Sequence, residues 1–154
     1  MMATSWATGS ILLAAIAGSL GGQPQTTGEP CKVTLTASKS RATCVVPAAL
    51  LARPPRLVEI PVTKIENPSG QSFSIYLYAG AGKGQPELIG NVTVFPPDRI
   101  GVFVMRSQAA FERLGSSGGP GRITIEIRPT SEARPWQTIS VSIGPLRWLY
   151  EEPK

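Results

Sequence analysis

The chain has 154 residues, a formal net charge of +5 and no histidine. Without imidazole it lacks the usual general base near neutral pH and the most common metal ligand. We therefore predict no catalytic residue, no cofactor-binding residue and no metal site, and we predict that the protein is not an enzyme. The remaining enzymatic option is a thiolate at Cys31 or Cys44, activated by a lysine or arginine. Basic residues occur one at a time without interleaved aromatics, which argues against nucleic acid as a partner.

The first 28 residues contain no charged side chain, since Glu29 is the first. An apolar run over 11–17 ends in Ala15-Ile16-Ala17, which has the small-x-small form of a signal-peptidase site. We predict that 1–22 is a signal peptide or, alternatively, a membrane anchor over 6–22, which is short for a span of about 20 apolar residues. A leader with neither role is the third option. A Gly-, Gln-, Pro- and Thr-rich linker is predicted over 23–30.

Cys31 and Cys44 flank a segment that alternates, turns at Ser38-Lys39-Ser40 and returns. A hairpin folded about residues 37 and 38 would place the two cysteines opposite each other, within reach of a disulfide. A disulfide after a signal peptide indicates a secreted or periplasmic protein. The alternatives are a membrane-anchored protein with this domain outside the cytoplasm, and two buried thiols in a cytosolic sheet.

Residues 31–150 are predicted to form one all-β domain, an antiparallel β-sandwich of seven to eight strands. After a connection over 47–56, the strands share an alternation of apolar and polar residues or a short apolar run: 57–64, 72–78, 87–95, 100–106, 122–128 and 138–143. Pro61 is expected to confine its strand to a sheet edge or a bulge. One short helix is predicted near 107–114, with Ser107 as its cap.

Several of these segments, taken in order, carry a family resemblance. They are Ser72-Phe-Ser-Ile-Tyr-Leu-Tyr78, Glu87-Leu-Ile-Gly-Asn-Val-Thr-Val-Phe-Pro96, Arg113-Leu-Gly115, Arg122-Ile-Thr-Ile-Glu-Ile-Arg-Pro129 and Ile139-Ser-Val-Ser-Ile-Gly144. Together they resemble the C-terminal β-sandwich domain of tyrosinases and polyphenol oxidases. In that family the domain has no catalysis of its own and packs over the entrance of a histidine-rich dicopper domain. The resemblance implies a freestanding version that serves as a lid or chaperone for a separate copper oxidase.

The predicted function is therefore that of an exported accessory domain that binds a partner protein. The residues predicted to face the partner lie at the end of the strand predicted over 87–95 and in the loop that follows it. They are Phe95, Pro96, Pro97, Asp98 and Arg99. The alternative is a structural subunit of a membrane or envelope complex, retained by a helix over 6–22, with Trp148 and Tyr150 as terminal contacts. Carbohydrate binding through Tyr76, Tyr78 and Trp136 is a further option.

Overall fold

The computed structural model describes residues 31–82, 84–131, 136 and 138–150. The predicted signal peptide or anchor over 1–22 and the predicted linker over 23–30 lie outside the described residues.

The described residues form two antiparallel sheets, which confirms the predicted all-β sandwich, with nine strands rather than seven or eight. In chain order the elements are β1 (Val33–Thr36), β2 (Arg41–Val45), α1 (Ala48–Ala52), β3 (Leu57–Glu66), β4 (Phe73–Ala81), β5 (Glu87–Val94), β6 (Gly101–Arg106), α2 (Gln108–Ser116), β7 (Gly121–Pro129), β8 (Ser140–Ile143) and β9 (Arg147–Leu149). The first sheet has the order β1-β8-β3-β6, and β9 also pairs with β3. The second sheet has the order β2-β7-β4-β5.

The core lies between the two sheets, where one face of each strand is buried because apolar residues alternate with polar ones. Fully or almost fully buried aliphatic and aromatic side chains come from both sheets and include Val58, Ile60, Phe73, Ile75, Leu77, Ile123, Ile125, Ile127, Val141 and Ile143. Each stabilises the fold by about 1.5–3 kcal/mol through removal of its apolar surface from water.

The predicted hairpin between β1 and β2 is wrong, because the two strands belong to different sheets. β1 pairs with β8, with Leu35 opposite Val141, and β2 pairs with β7. Cys31 and Cys44 nevertheless form a disulfide, with their Cα atoms 5.8 Å apart. The bridge therefore ties one sheet to the other instead of crossing a hairpin. A disulfide is compatible with an oxidising, extracytoplasmic environment.

Pro61 lies in a strand that is interior to its sheet, since β3 has β6 on one side and β8 and β9 on the other. Its carbonyl accepts a hydrogen bond from the Gly144 N–H at 2.7 Å, in the segment between β8 and β9. The pairing of β3 with β8 shifts register between Val62 and Lys64. Of the two expected positions, a sheet edge or a bulge, the structure thus shows an irregularity of the bulge type close to Pro61.

The two described helices lie outside the sheets. The predicted helix is α2, which ends at Ser116 rather than at 114 and buries Phe111 and Leu114. The other, α1, occupies part of the segment predicted as a connection, and it is only five residues long. Among the described residues no helix is long and apolar enough to cross a membrane.

We predict that reduction of the Cys31–Cys44 disulfide lowers the free energy of unfolding by about 3 kcal/mol, because it releases a constraint on the unfolded chain. The two cysteines are 13 residues apart in sequence. The measurement is urea denaturation with and without reductant. A double variant, Cys31→Ser with Cys44→Ser, is the control and should be insensitive to reductant. An unchanged wild-type midpoint in reductant would contradict the prediction.

Candidate interaction surface

Exposed large apolar side chains are concentrated in one part of the described surface. Five of the six belong to β5, β6 and the loop that joins them, with exposed fractions from 46% to 73%: Leu88, Phe95, Ile100, Val102 and Val104. We call these five residues the apolar edge. The sixth is Val45 in β2. Contiguous exposed apolar surface on a soluble domain is typical of an interaction site, whereas single exposed residues are ordinary.

β6 is an edge strand, and no other strand in the described part of the chain pairs with it besides β3. Its side chains alternate, so that Met105 is buried and Val102 and Val104 are each 51% exposed. Met105 packs against the backbone of Gly90 in β5. The outward positions are therefore apolar where the alternation of a half-buried strand would place polar residues.

The remaining edge strands are protected in ways that β6 is not. The register of β5 with β4 shifts near Leu88, and Glu87 at its start forms an ion pair with Arg113. β1, β2 and β9 are short, with four, five and three residues, and short edge strands limit strand addition. The side of the sandwich formed by β1 and β2 is also tied by the Cys31–Cys44 disulfide. β6 pairs with β3 over six residues without a register shift and contains no proline. Bulges, prolines and charges are the usual means of blocking strand addition, and β6 lacks them between its ends.

The loop predicted to face a partner lies directly before β6. Phe95 is 73% exposed, and the Phe95–Pro96 peptide bond is cis. The Arg99 N–H donates to the Pro96 carbonyl at 3.0 Å, which closes a turn. The Asn67 side chain donates to the Pro97 carbonyl at 3.2 Å, so the turn is held from the β3–β4 connection. Hydrogen bonds to two of its backbone carbonyls thus hold the loop, while the Phe95 ring is largely exposed.

A cleft of about 270 Å³ lies at the other end of β6. Within the part of the chain that the structure describes, its charged lining residues are three arginines, Arg56, Arg106 and Arg113. Its apolar lining comes from β3, β5 and the start of α2, with Leu88 as the member shared with the apolar edge. The cleft is therefore continuous with β6 through Arg106 and with β5 through Leu88.

Trp148 and Tyr150, the predicted terminal contacts, both make contacts within the chain. The Trp148 ring packs edge-on against Phe111 of α2, with ring centroids 5.2 Å apart. The Arg53 guanidinium lies 4.5 Å from the centroid of the Tyr150 ring. These contacts hold the end of the described chain against α2 and against Arg53, the residue that follows α1.

The outer face of the second sheet carries a paired cluster of aromatic and charged side chains. Tyr76 and Tyr78 stack at 6.4 Å between centroids, and the Arg128 guanidinium lies 4.8 Å from the Tyr76 ring. Glu126 accepts hydrogen bonds from Arg41 at 2.8 Å and from Arg128 at 2.9 Å. Burial by itself would raise the pKa of Glu126, but the bonds from the two arginines outweigh it and lower the pKa. The charged and aromatic side chains of this cluster therefore contact one another, whereas the side chains of the apolar edge are largely exposed to solvent.

The three aromatic residues considered for carbohydrate binding do not share one platform. Tyr76 and Tyr78 lie on the outer face of their sheet, whereas Trp136 packs against the ring of Phe73, which is fully buried. The described residues contain no group of three or more metal-ligating side chains. Cys31 and Cys44 share a disulfide, so neither is a thiolate in this structure.

The sequence predicted the Phe95 loop as a partner-facing segment and did not single out the other residues of the apolar edge. Ile100, Val102 and Val104 form part of an apolar run that reaches Met105. That run could have indicated the surface, because a strand with apolar residues on both faces is expected to be buried on both faces. The arginine cleft had no local signal, since its lining comes from β3, β5, β6 and α2.

We predict that Glu126→Gln lowers stability at pH 7 and that this difference shrinks at acid pH. The folded-state pKa of Glu126 lies below its ordinary value of 4.5. The stabilisation is therefore fully present above pH 4.5 and is lost as the pH falls through the folded-state pKa. Urea midpoints of wild type and variant from pH 7 to pH 3 measure this difference. Glu66→Gln, at an exposed pair with Lys64, is the control. A difference independent of pH would contradict the prediction.

Comparison with known proteins finds no matching family model, no matching curated protein and no matching solved structure.

Proposed function

We propose that this protein is a non-catalytic accessory domain that binds a partner protein through the apolar edge. The observation that carries the proposal is the position of five exposed apolar side chains on and around one edge strand, β6. Outside the apolar edge, the one remaining exposed large hydrophobic among the described residues is Val45.

Two physical features of this edge favour a protein as the partner. The free side of β6 offers backbone N–H and C=O groups that an added strand can pair with. Val102 and Val104 lie next to that free side, so a bound partner would remove their apolar surface from water. Backbone hydrogen bonds to β6 would fix the orientation of the bound segment. Burial of the valine side chains would supply a large part of the affinity.

The finer proposal concerns compartment and partner. The disulfide supports an exported protein, which agrees with the predicted signal peptide over 1–22. The resemblance to tyrosinase C-terminal domains favours a copper oxidase as the partner, with this domain as its lid or chaperone. The exposed ring of Phe95 would then face that oxidase. The alternative of a membrane-complex subunit held by a helix over 6–22 stays a prediction.

The experiment is site-specific photo-crosslinking in the native host, with p-benzoylphenylalanine in place of Val102. The matched control carries the same group in place of Val45, a valine that is 69% exposed on another edge strand. We expect a discrete adduct with one other protein at Val102 and none at Val45.

Equal adducts at the two positions, or no adduct at Val102, would contradict the proposed surface. Mass spectrometry of the adduct then separates the partner classes. A copper oxidase would support the lid or chaperone role, and a membrane-complex subunit would support the alternative.

A further inference from the structure

The direction of β6 links the two ends of the candidate surface. β6 begins at Gly101, next to the Phe95 loop, and ends at Arg106, which lines the cleft. Every strand pair in its sheet is antiparallel, and antiparallel pairing is slightly more stable per residue than parallel pairing. A strand added antiparallel to β6 would therefore start at the cleft and finish near Phe95.

Both faces of such an added strand would meet apolar surface. On the outer face of the sheet its side chains would lie beside Val102 and Val104, each 51% exposed. On the inner face they would lie over the side of the sandwich between β6 and β5, where Leu88 is 46% exposed. The matching segment has apolar residues along a short extended stretch.

Charge decides what the beginning of that segment should be. Among the described residues, the charged side chains that line the cleft are Arg56, Arg106 and Arg113. Arg113 is already paired with Glu87. Arg106 is exposed and forms no ion pair with another described residue, so its guanidinium is the one that a partner's carboxylate would meet. A carboxylate placed there forms charge-assisted hydrogen bonds with guanidinium groups, which are stronger than neutral ones.

We propose that the partner binds as an extended segment added antiparallel to the free side of β6, and that an acidic side chain at the start of this segment occupies the arginine-lined cleft. This inference rests on the proposed function and specifies the chemistry of its partner. The partner pattern is an aspartate or glutamate followed, toward the C-terminus, by a short apolar stretch.

A second copy of the chain fits this surface less well. The stretch from the Phe95 loop through β6 contains two arginines, Arg99 and Arg106, and one carboxylate, Asp98. Pairing this stretch with itself would bring two positively charged segments together, and the whole chain carries a net charge of +5. The partner segment is therefore expected to be acidic and to belong to a different protein.

The test uses a displayed library of random 12-residue peptides, selected against the purified protein. We expect the enriched peptides to carry an acidic residue N-terminal to an apolar stretch. Synthetic versions should bind Arg106→Glu at least about tenfold more weakly than wild type. The matched control is Arg122→Glu, which makes the same charge change at an exposed arginine on the other sheet and should bind normally. Arg106→Gln provides a gentler variant if Arg106→Glu does not fold.

The outcomes separate this inference from the proposed function. Enriched peptides without an acidic residue, equal losses in the Arg106 and Arg122 variants, or no enrichment would overturn the acidic-segment inference alone. Peptides that bind Val102→Lys as tightly as wild type would contradict use of the β6 edge as well. A dimer in sedimentation velocity that Val102→Lys abolishes would identify a second copy as the occupant and overturn the inference, while the edge would remain the binding surface.

Discussion

Burial of one face of each sheet against the other is the constraint on which the rest of this structure depends. Residues such as Ile75, Ile125 and Val141 are fully or almost fully buried because their strands present them to the same interior. In that arrangement the backbone N–H and C=O groups of an interior strand form hydrogen bonds with the strands on both sides. The arrangement also leaves five of the described strands with one side unpaired, namely β1, β6 and β9 in one sheet and β2 and β5 in the other. What the chain does at these edges determines which surface is available to a partner.

The edge strands on the two sides of the sandwich differ in the contacts that hold them. On one side the Cys31–Cys44 disulfide joins the sheets, and the Thr36 and Lys39 backbones exchange hydrogen bonds in the turn between β1 and β2. On the other side β5 is interrupted by a register shift, while β6 is regular and bears Val102 and Val104 on its outward face. The cluster of Glu126, Arg41 and Arg128 shows that this chain can pair the side chains on an outer sheet face. Exposed valines at β6 are thus a local departure, and departures of this kind are expected at functional sites.

Local patterns in the sequence predicted most strands and α2, because alternation and turn residues act over a few positions. They did not predict which strands pair: Val33 lies opposite Ile143, and the two residues are far apart in the chain. For this reason the prediction of a hairpin around residues 37 and 38 is wrong. The disulfide that was expected between its two cysteines is nevertheless present. At the candidate surface, local turn residues predicted the loop at Phe95, but the exposure of Val102 depends on β6 lying at a sheet edge. The cleft around Arg106 exists only after four separate elements have packed together.

The central claim is that the free side of β6 is covered when the protein performs its function. Hydrogen exchange, followed by mass spectrometry, tests this claim on the complex isolated from the native host and on the chain alone. The account predicts slower amide exchange in Gly101–Arg106 within the complex, with little change in Gly121–Pro129 of β7, which is interior to the other sheet. Equal exchange of Gly101–Arg106 in the two samples, or protection confined to the outer face of the second sheet, would contradict it.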